Sequence, residues 1–213
     1  MAKALVILGT GGNCLDILDA VQALNRHSHE FDVLGFLDDN PAIHHQLFGG
    51  CTVHGPLSLA SRFGDAFFVN GIGSTRSYPD KPKITRALEI EPERFATVVH
   101  PSAVLSPLAT VGKGTVILAN TTVCANARIG HHGMILPNCV ISHDCCLDDY
   151  AIMASGAVLC GNVTLEKSCY IGAGSVILEG ITVGSGSLVG AGSVVTRDVP
   201  PDTVVMGNPA RPR

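Results

Sequence analysis

The sequence predicts an α/β fold continued by a β-solenoid, with the change near residue 100. Two observations carry this. From Leu105 to Val195 every sixth residue is aliphatic or Met, sixteen positions without a break. Before residue 100 that period is absent, and strand-like apolar runs alternate with segments of helical spacing. A period of six fits neither a helix nor a plain strand, and fixed-period self-similarity marks a repeat architecture. Three hexads closing one triangular turn give a parallel β-helix. Each repeated aliphatic residue then points inward and stacks on its counterpart one coil away. Small residues often follow the aliphatic one, as in Ile129-Gly130, Ile171-Gly172 and Val183-Gly184.

The N-terminal elements follow in order. Lys3 to Leu8 is a continuous apolar run, as expected of a strand buried on both faces. It ends in Gly9-Thr10-Gly11-Gly12-Asn13, after which Leu15, Leu18, Val21 and Leu24 recur at helix spacing, with Ile17 beside them. Asp32 to Leu37 reads as a second strand closed by the turn-forming run Asp38-Asp39-Asn40-Pro41. Pro56 opens an expected helix through Arg62. Ala66 to Asn70 is a third strand ending at Gly71-Ile72-Gly73, and a helix near Lys83 to Ile90 follows. This alternation implies parallel βαβ units, a small Rossmann-like domain over residues 1–100.

Composition excludes several functions. A formal charge of −4 argues against nucleic-acid or anionic-membrane partners. No apolar run approaches the roughly 20 residues needed to span a bilayer. Ala4 to Leu8 is too short for a signal peptide and runs straight into a glycine turn. The eight cysteines form no C-x-x-C pair, and most stand where a small apolar repeat residue would serve. They read as reduced packing residues of a cytoplasmic protein rather than a disulfide or zinc framework.

The glycine turn is the first candidate site. Glycines permit close backbone approach, and a helix N-terminus offers free N–H groups and partial positive charge to a phosphate. The motif lacks the third glycine of the dinucleotide fingerprint, so a purely structural turn remains an alternative. Asp38 and Asp39 stand where an acid bonds a ribose hydroxyl or base edge, or simply forms a solvated turn. Fewer than 100 residues before the solenoid leave no second catalytic domain for a dehydrogenase.

Taken together, the halves resemble the hexapeptide-repeat nucleotide-sugar N-acetyltransferases and sialic acid O-acetyltransferases of bacterial glycan biosynthesis. The similarity runs through Gly9-Thr-Gly-Gly12, Gly35-Phe-Leu-Asp-Asp39, Val98-Val-His-Pro-Ser-Ala103, Ile141-Ser-His-Asp-Cys145, Cys160-Gly-Asn-Val163 and Gly207-Asn-Pro-Ala210. It implies a left-handed β-helix over 101–213, a homotrimer, acetyl-CoA in grooves between subunits and no metal. It also implies a sugar nucleotide held by Gly9, Thr10, Gly11, Gly12, Asn13, Asp38, Asp39 and Gly73. His143 matches the family's general base and Asp144 its acidic neighbour. Gly161, Ala191, Asn208, Pro209 and Arg211 match positions near CoA. The chemistry fits one neutral imidazole that takes a proton from an amine attacking a thioester. A main-chain N–H would stabilise the oxyanion.

The expected reaction is acetylation of the 4-amino group of a 4-amino-4,6-dideoxy sugar nucleotide, with UDP favoured over GDP or dTDP. O-acetylation of a sialic acid or other sugar, and a non-catalytic sugar-nucleotide-binding scaffold, are the alternatives. Two departures from the family bear on substrate. Asn13 stands where relatives commonly carry His, and Leu136, seven residues before His143, stands where Asn is frequent. His131 and His132 read as a corner pair, without the H-x4-H spacing of a solenoid zinc enzyme.

Overall fold

The computed structural model describes residues 2–213. β1 (Lys3–Leu8), α1 (Gly12–Ser28), β2 (Phe31–Leu37), β3 (Leu47–Phe48), β4 (Cys51–Gly55), β5 (Phe67–Asn70) and α2 (Lys81–Ala87) build the N-terminal unit. Its sheet has the order β3-β4-β2-β1-β5, parallel except where β3 pairs antiparallel with β4. β1 lies inside the sheet between β2 and β5, and its alternate side chains enter two different cores. Leu5 and Ile7 join α1 on one side, while Val6 and Leu8 join Leu57, Phe68 and Phe95 on the other. The continuous apolar run of β1 has its physical cause there.

Three elements differ from expectation. α1 is rotated from the simple Leu15-Leu18-Val21-Leu24 stripe: Cys14 and Ile17 are fully buried, and Leu15 is exposed. The helix is wedged between sheet and solenoid, so a broader arc is covered, and the small Cys14, Ala20 and Ala23 permit the close approach. The segment after Pro56 forms 3₁₀ turns over Leu57–Phe63 rather than an α-helix. The β3–β4 hairpin was not anticipated, its strands being too short to show a period.

The solenoid begins with β6 (Val98–Val99), which pairs with Val116–Ile117. Thereafter a two-residue strand occurs every six residues as far as Val194–Val195, and through Val176–Ile177 each pairs in parallel with the strand 18 residues on, while Leu188–Val189 pairs 16 residues on with Val204–Val205. The second residue of each strand is the repeated aliphatic one, and these stack in the central core with a second inward column of small residues, among them Cys139, Cys145 and Cys169. Truncating a fully buried member such as Ile141 to Ala would cost about 2–5 kcal/mol. Turns are equally periodic: every sixth residue from Gly114 to Gly192 has positive φ. Gly, Asn and Asp supply most of them, because the left-handed region suits those residues.

The outward strand residues separate the three faces. One presents Val116, Met134, Ile152 and Tyr170, buried against the N-terminal unit. A second presents Thr110, Arg128, Cys146, Thr164 and Thr182. The third presents Val104, Thr122, Val140, Val158, Val176 and Val194, a ladder apolar but for Thr122 that no element among the described residues covers.

Candidate active site

A cleft of about 460 Å³ opens between the two glycine turns. Gly9, Thr10, Gly11, Gly12 and Asn13 form one wall and Gly71, Ile72 and Gly73 the other. Not every glycine is required by space. Gly9 has φ +97°, and a Cβ there would stand 2.8 Å from Ile72; at Gly71 it would stand 2.5 Å from the Cys14 sulfur. At Gly11 and Gly12 a Cβ would meet nothing within 4 Å, so these two face the open cleft. The first turn of α1 carries no acid, which leaves its N–H groups and partial positive charge to a ligand. Asn13 Nδ2 donates to the Gly73 carbonyl at 3.2 Å and ties the walls together.

The two aspartates part ways. Asp38 lines the cleft, accepting from Thr10 Oγ1 at 2.7 Å and from the Asn40 amide at 2.8 Å. Asp39 accepts from the Leu57 amide at 2.8 Å and stands outside the cleft wall, fixing the 3₁₀ segment. Its carboxylate is drawn to an otherwise unpaired N-terminal amide, as at any helix start. Ser74, Thr75, Ser77 and the solenoid's Tyr170 complete the lining, and sequence inspection missed them. Tyr170 is an outward strand residue, and only the docking of the two units brings it to the cleft.

His143 lies on a different edge of the molecule. Its Nδ1 is 2.8 Å from Asp144 Oδ2. An ionised carboxylate can only accept, so Nδ1 carries the proton and the lone pair of Nε2 is free. Asp144 takes the positive-φ place in its turn, φ 60°. Asn126, one coil below, donates from Nδ2 to Asp144 Oδ1 at 3.0 Å. Hydrogen bonds from His143 and then Asn126 hold the Asp144 carboxyl below its ordinary pKa. One coil above, a Cβ at Gly161 would stand 2.7 Å from His143 Cε1 and 2.8 Å from Nε2. The imidazole thus rests on bare main chain. Asn126 was missed from the sequence, although its 18-residue offset from Asp144 was the available signal.

Within one chain these groups do not converge. The His143 turn joins the valine face to the threonine-rich face, the edge across from the face that holds the cleft. Ala191, Asn208 and Pro209 follow strands of the docked face and lie at its junction with the valine face. Arg211 is exposed at the C-terminal end, its Nη1 donating to the Ala210 carbonyl. Leu136 is buried with Val116 and Met134 in the core shared by the two units. Among the described residues no three His, Cys, Asp or Glu side chains converge as a metal set, and no helix is long and apolar enough to cross a membrane.

The bacterial transferase hexapeptide family, described as six repeats, matches residues 162–197. The acetyltransferase domain of PglB from Neisseria gonorrhoeae, solved with acetyl coenzyme A, superposes with a TM-score of 0.88 at 28% identity, covering 100% of both chains. A histidine-to-alanine mutant of GDP-perosamine N-acetyltransferase from Caulobacter crescentus, solved with CoA and GDP-perosamine, gives 0.86 at 26% identity over 100% of this chain and 98% of that one. This protein is an acetyltransferase, and its repeat and whole-chain fold are similar to those of the hexapeptide-repeat acetyltransferases. WeeI from Acinetobacter baumannii is similar too, with a TM-score of 0.84 at 25% identity over both full chains. The acetyltransferase fold is a Rossmann-like unit on a left-handed parallel β-helix. No curated protein matches the sequence closely enough to stand as a relative.

Proposed function

We propose that this acetyltransferase moves an acetyl group from acetyl-CoA to the 4-amino group of a nucleotide-linked 4-amino-4,6-dideoxy sugar. His143 acts as general base. The observation that carries this reading is the free Nε2 of His143, oriented through Nδ1 by Asp144 and lying against Gly161. The amine attacks the thioester carbonyl and its proton passes to Nε2; the tetrahedral intermediate expels the CoA thiolate, which takes that proton. Asp144 stays ionised and stabilises the imidazolium. The glycine-walled cleft holds the nucleotide, with its diphosphate at the N-terminus of α1.

Cleft and base sit on opposite sides of a chain, so a complete site needs a second copy. The uncovered valine face supports a homotrimer in which that face is buried. His143, at the edge of that face, then meets the cleft of a neighbour. Acetyl-CoA would run along the groove between copies, past Gly161 and toward Ala191 and the Asn208-Pro209 tail. The eight cysteines are all free thiols, in keeping with action in the cytoplasm.

The test is thiol release from acetyl-CoA with UDP-, GDP- and dTDP-linked 4-amino-4,6-dideoxy sugars. Turnover with one of them, lost in His143→Ala, is the expected result and names the nucleotide. Unchanged turnover in that variant would remove His143 as base. No turnover with any amino sugar would overturn the acceptor. Val158→Asp, on the valine face, is expected to give inactive monomers, read by light scattering.

A further inference from the structure

Lys81 opens α2, yet it is 1% exposed. Its ammonium donates to the carbonyls of Asn70 at 2.7 Å and Ile72 at 3.0 Å. Among the described residues no carboxylate pairs with it. A buried unpaired ammonium is costly, and a hydrocarbon side chain of similar length would fill the space more cheaply. The charge therefore calls for a use.

Its position points to one. Both carbonyls belong to the strand end that becomes the second wall of the cleft. The same loop is held by Asn70, whose Oδ1 accepts from the Ile72 amide at 2.9 Å and whose Nδ2 donates to Thr85 Oγ1 at 3.0 Å. Thr85 in turn donates to the Lys81 carbonyl at 2.8 Å, closing the network onto α2. The cleft wall itself carries no Lys, Arg or His. A diphosphate there would find main-chain N–H groups, the Asp38 carboxylate and no facing cation.

We propose that Lys81 is a buried positioning cation of this cleft, tying down the Gly71–Gly73 loop and adding a positive charge behind a wall that has none of its own. The role rests on reading the cleft as the nucleotide site. The groups closest in charge leave the ammonium uncancelled. Burial pushes the Cys14 thiol on α1 up to about 12, and burial with the Lys81 charge pushes His132 on the solenoid down to about 4, so both are neutral at pH 7. Burial also draws Lys81 down to about 7, so the empty cleft holds the ammonium only part of the time at that pH, and an arriving anion would strengthen its hold on the proton.

The experiment measures binding of UDP, GDP and dTDP, and of the matching monophosphates, to wild-type, Lys81→Met and Lys81→Gln trimers by calorimetry, with melting curves alongside. Gln keeps a donor for the carbonyls but no charge. The diphosphate that binds wild type is expected to bind both variants about tenfold more weakly, and the monophosphate about threefold more weakly. Equal losses for mono- and diphosphate would reduce Lys81 to a prop of the loop and overturn its electrostatic role. Unchanged diphosphate affinity would overturn the role altogether while leaving the cleft as the nucleotide site. A wild-type protein that binds none of the three diphosphates would overturn both.

Discussion

The cleft and the His143 corner are built on opposite plans. The cleft is largely main chain: two glycine turns and a helix N-terminus, with a single carboxylate facing in and the short side chains of Ser74, Thr75 and Ser77 beside Tyr170. The corner is a ladder of side chains one coil apart, with Asn126 below Asp144 and Gly161 above His143. A main-chain site tolerates changes of side chain that add no bulk, whereas a ladder depends on identity at every 18th residue. The difference teaches where each half is fragile.

The comparison is broken most severely at the base. His143→Ala is expected to lower kcat by about 10²–10⁴ with nucleotide affinity retained, measured by thiol release and calorimetry. Gly161→Ala comes next. Its new Cβ collides with the ring of His143, and a loss of about 10–100-fold in kcat is expected without a matching fall in melting temperature. Gly71→Ala is the matching test of the cleft. A Cβ pressed on the Cys14 sulfur moves the wall and should raise KM for the sugar nucleotide about tenfold, leaving KM for acetyl-CoA alone. Asn126→Ala frees one oxygen of Asp144, and a several-fold fall in kcat with unchanged KM values is expected, about one hydrogen bond's worth. An Asn126→Ala enzyme with wild-type kcat would show that His143 alone orients the carboxylate.

The smallest expected effect concerns pH and stability. His132 is stacked on Tyr150 and set edge-on to Phe95, and its Nδ1 has no hydrogen-bond partner. Burial first, then the Lys81 charge, pushes it from 6.5 to about 4. Between those values the unfolded chain binds a proton that the folded chain does not, so stability rises with pH from about 4 to 6.5 and is complete above that. Melting temperature should fall as pH drops through this window, and less steeply in His132→Asn, whose side chain suits the positive φ. Parallel slopes in the two proteins would place the acid sensitivity elsewhere.

Much of this was legible from residue order. The inward column from Leu105 to Val195 gave the coil, and coil length gave the vertical neighbours: Gly161 beside His143 follows from adding 18. Asn126 lies at the same offset from Asp144, but the offset alone did not single it out, because only the structure shows its Nδ2 donating to the carboxylate. Asp38 and Asp39 could not be told apart by spacing, because the distinction depends on which one meets the Leu57 amide. Leu15 and Ile17 were likewise ambiguous. Both are apolar, and the solenoid packed against α1 decides which is covered.

The sequence by itself determined the repeat, the glycine turns and the His143-Asp144 pair, because each is a local pattern of fixed period or adjacent residues. Tertiary structure alone decided that Tyr170 reaches the cleft, that Lys81 is buried behind it, and that cleft and base lie on opposite edges. Those facts depend on which of the three solenoid faces the N-terminal unit covers. That choice is a matter of packing between surfaces distant in the chain, and no local pattern encodes it.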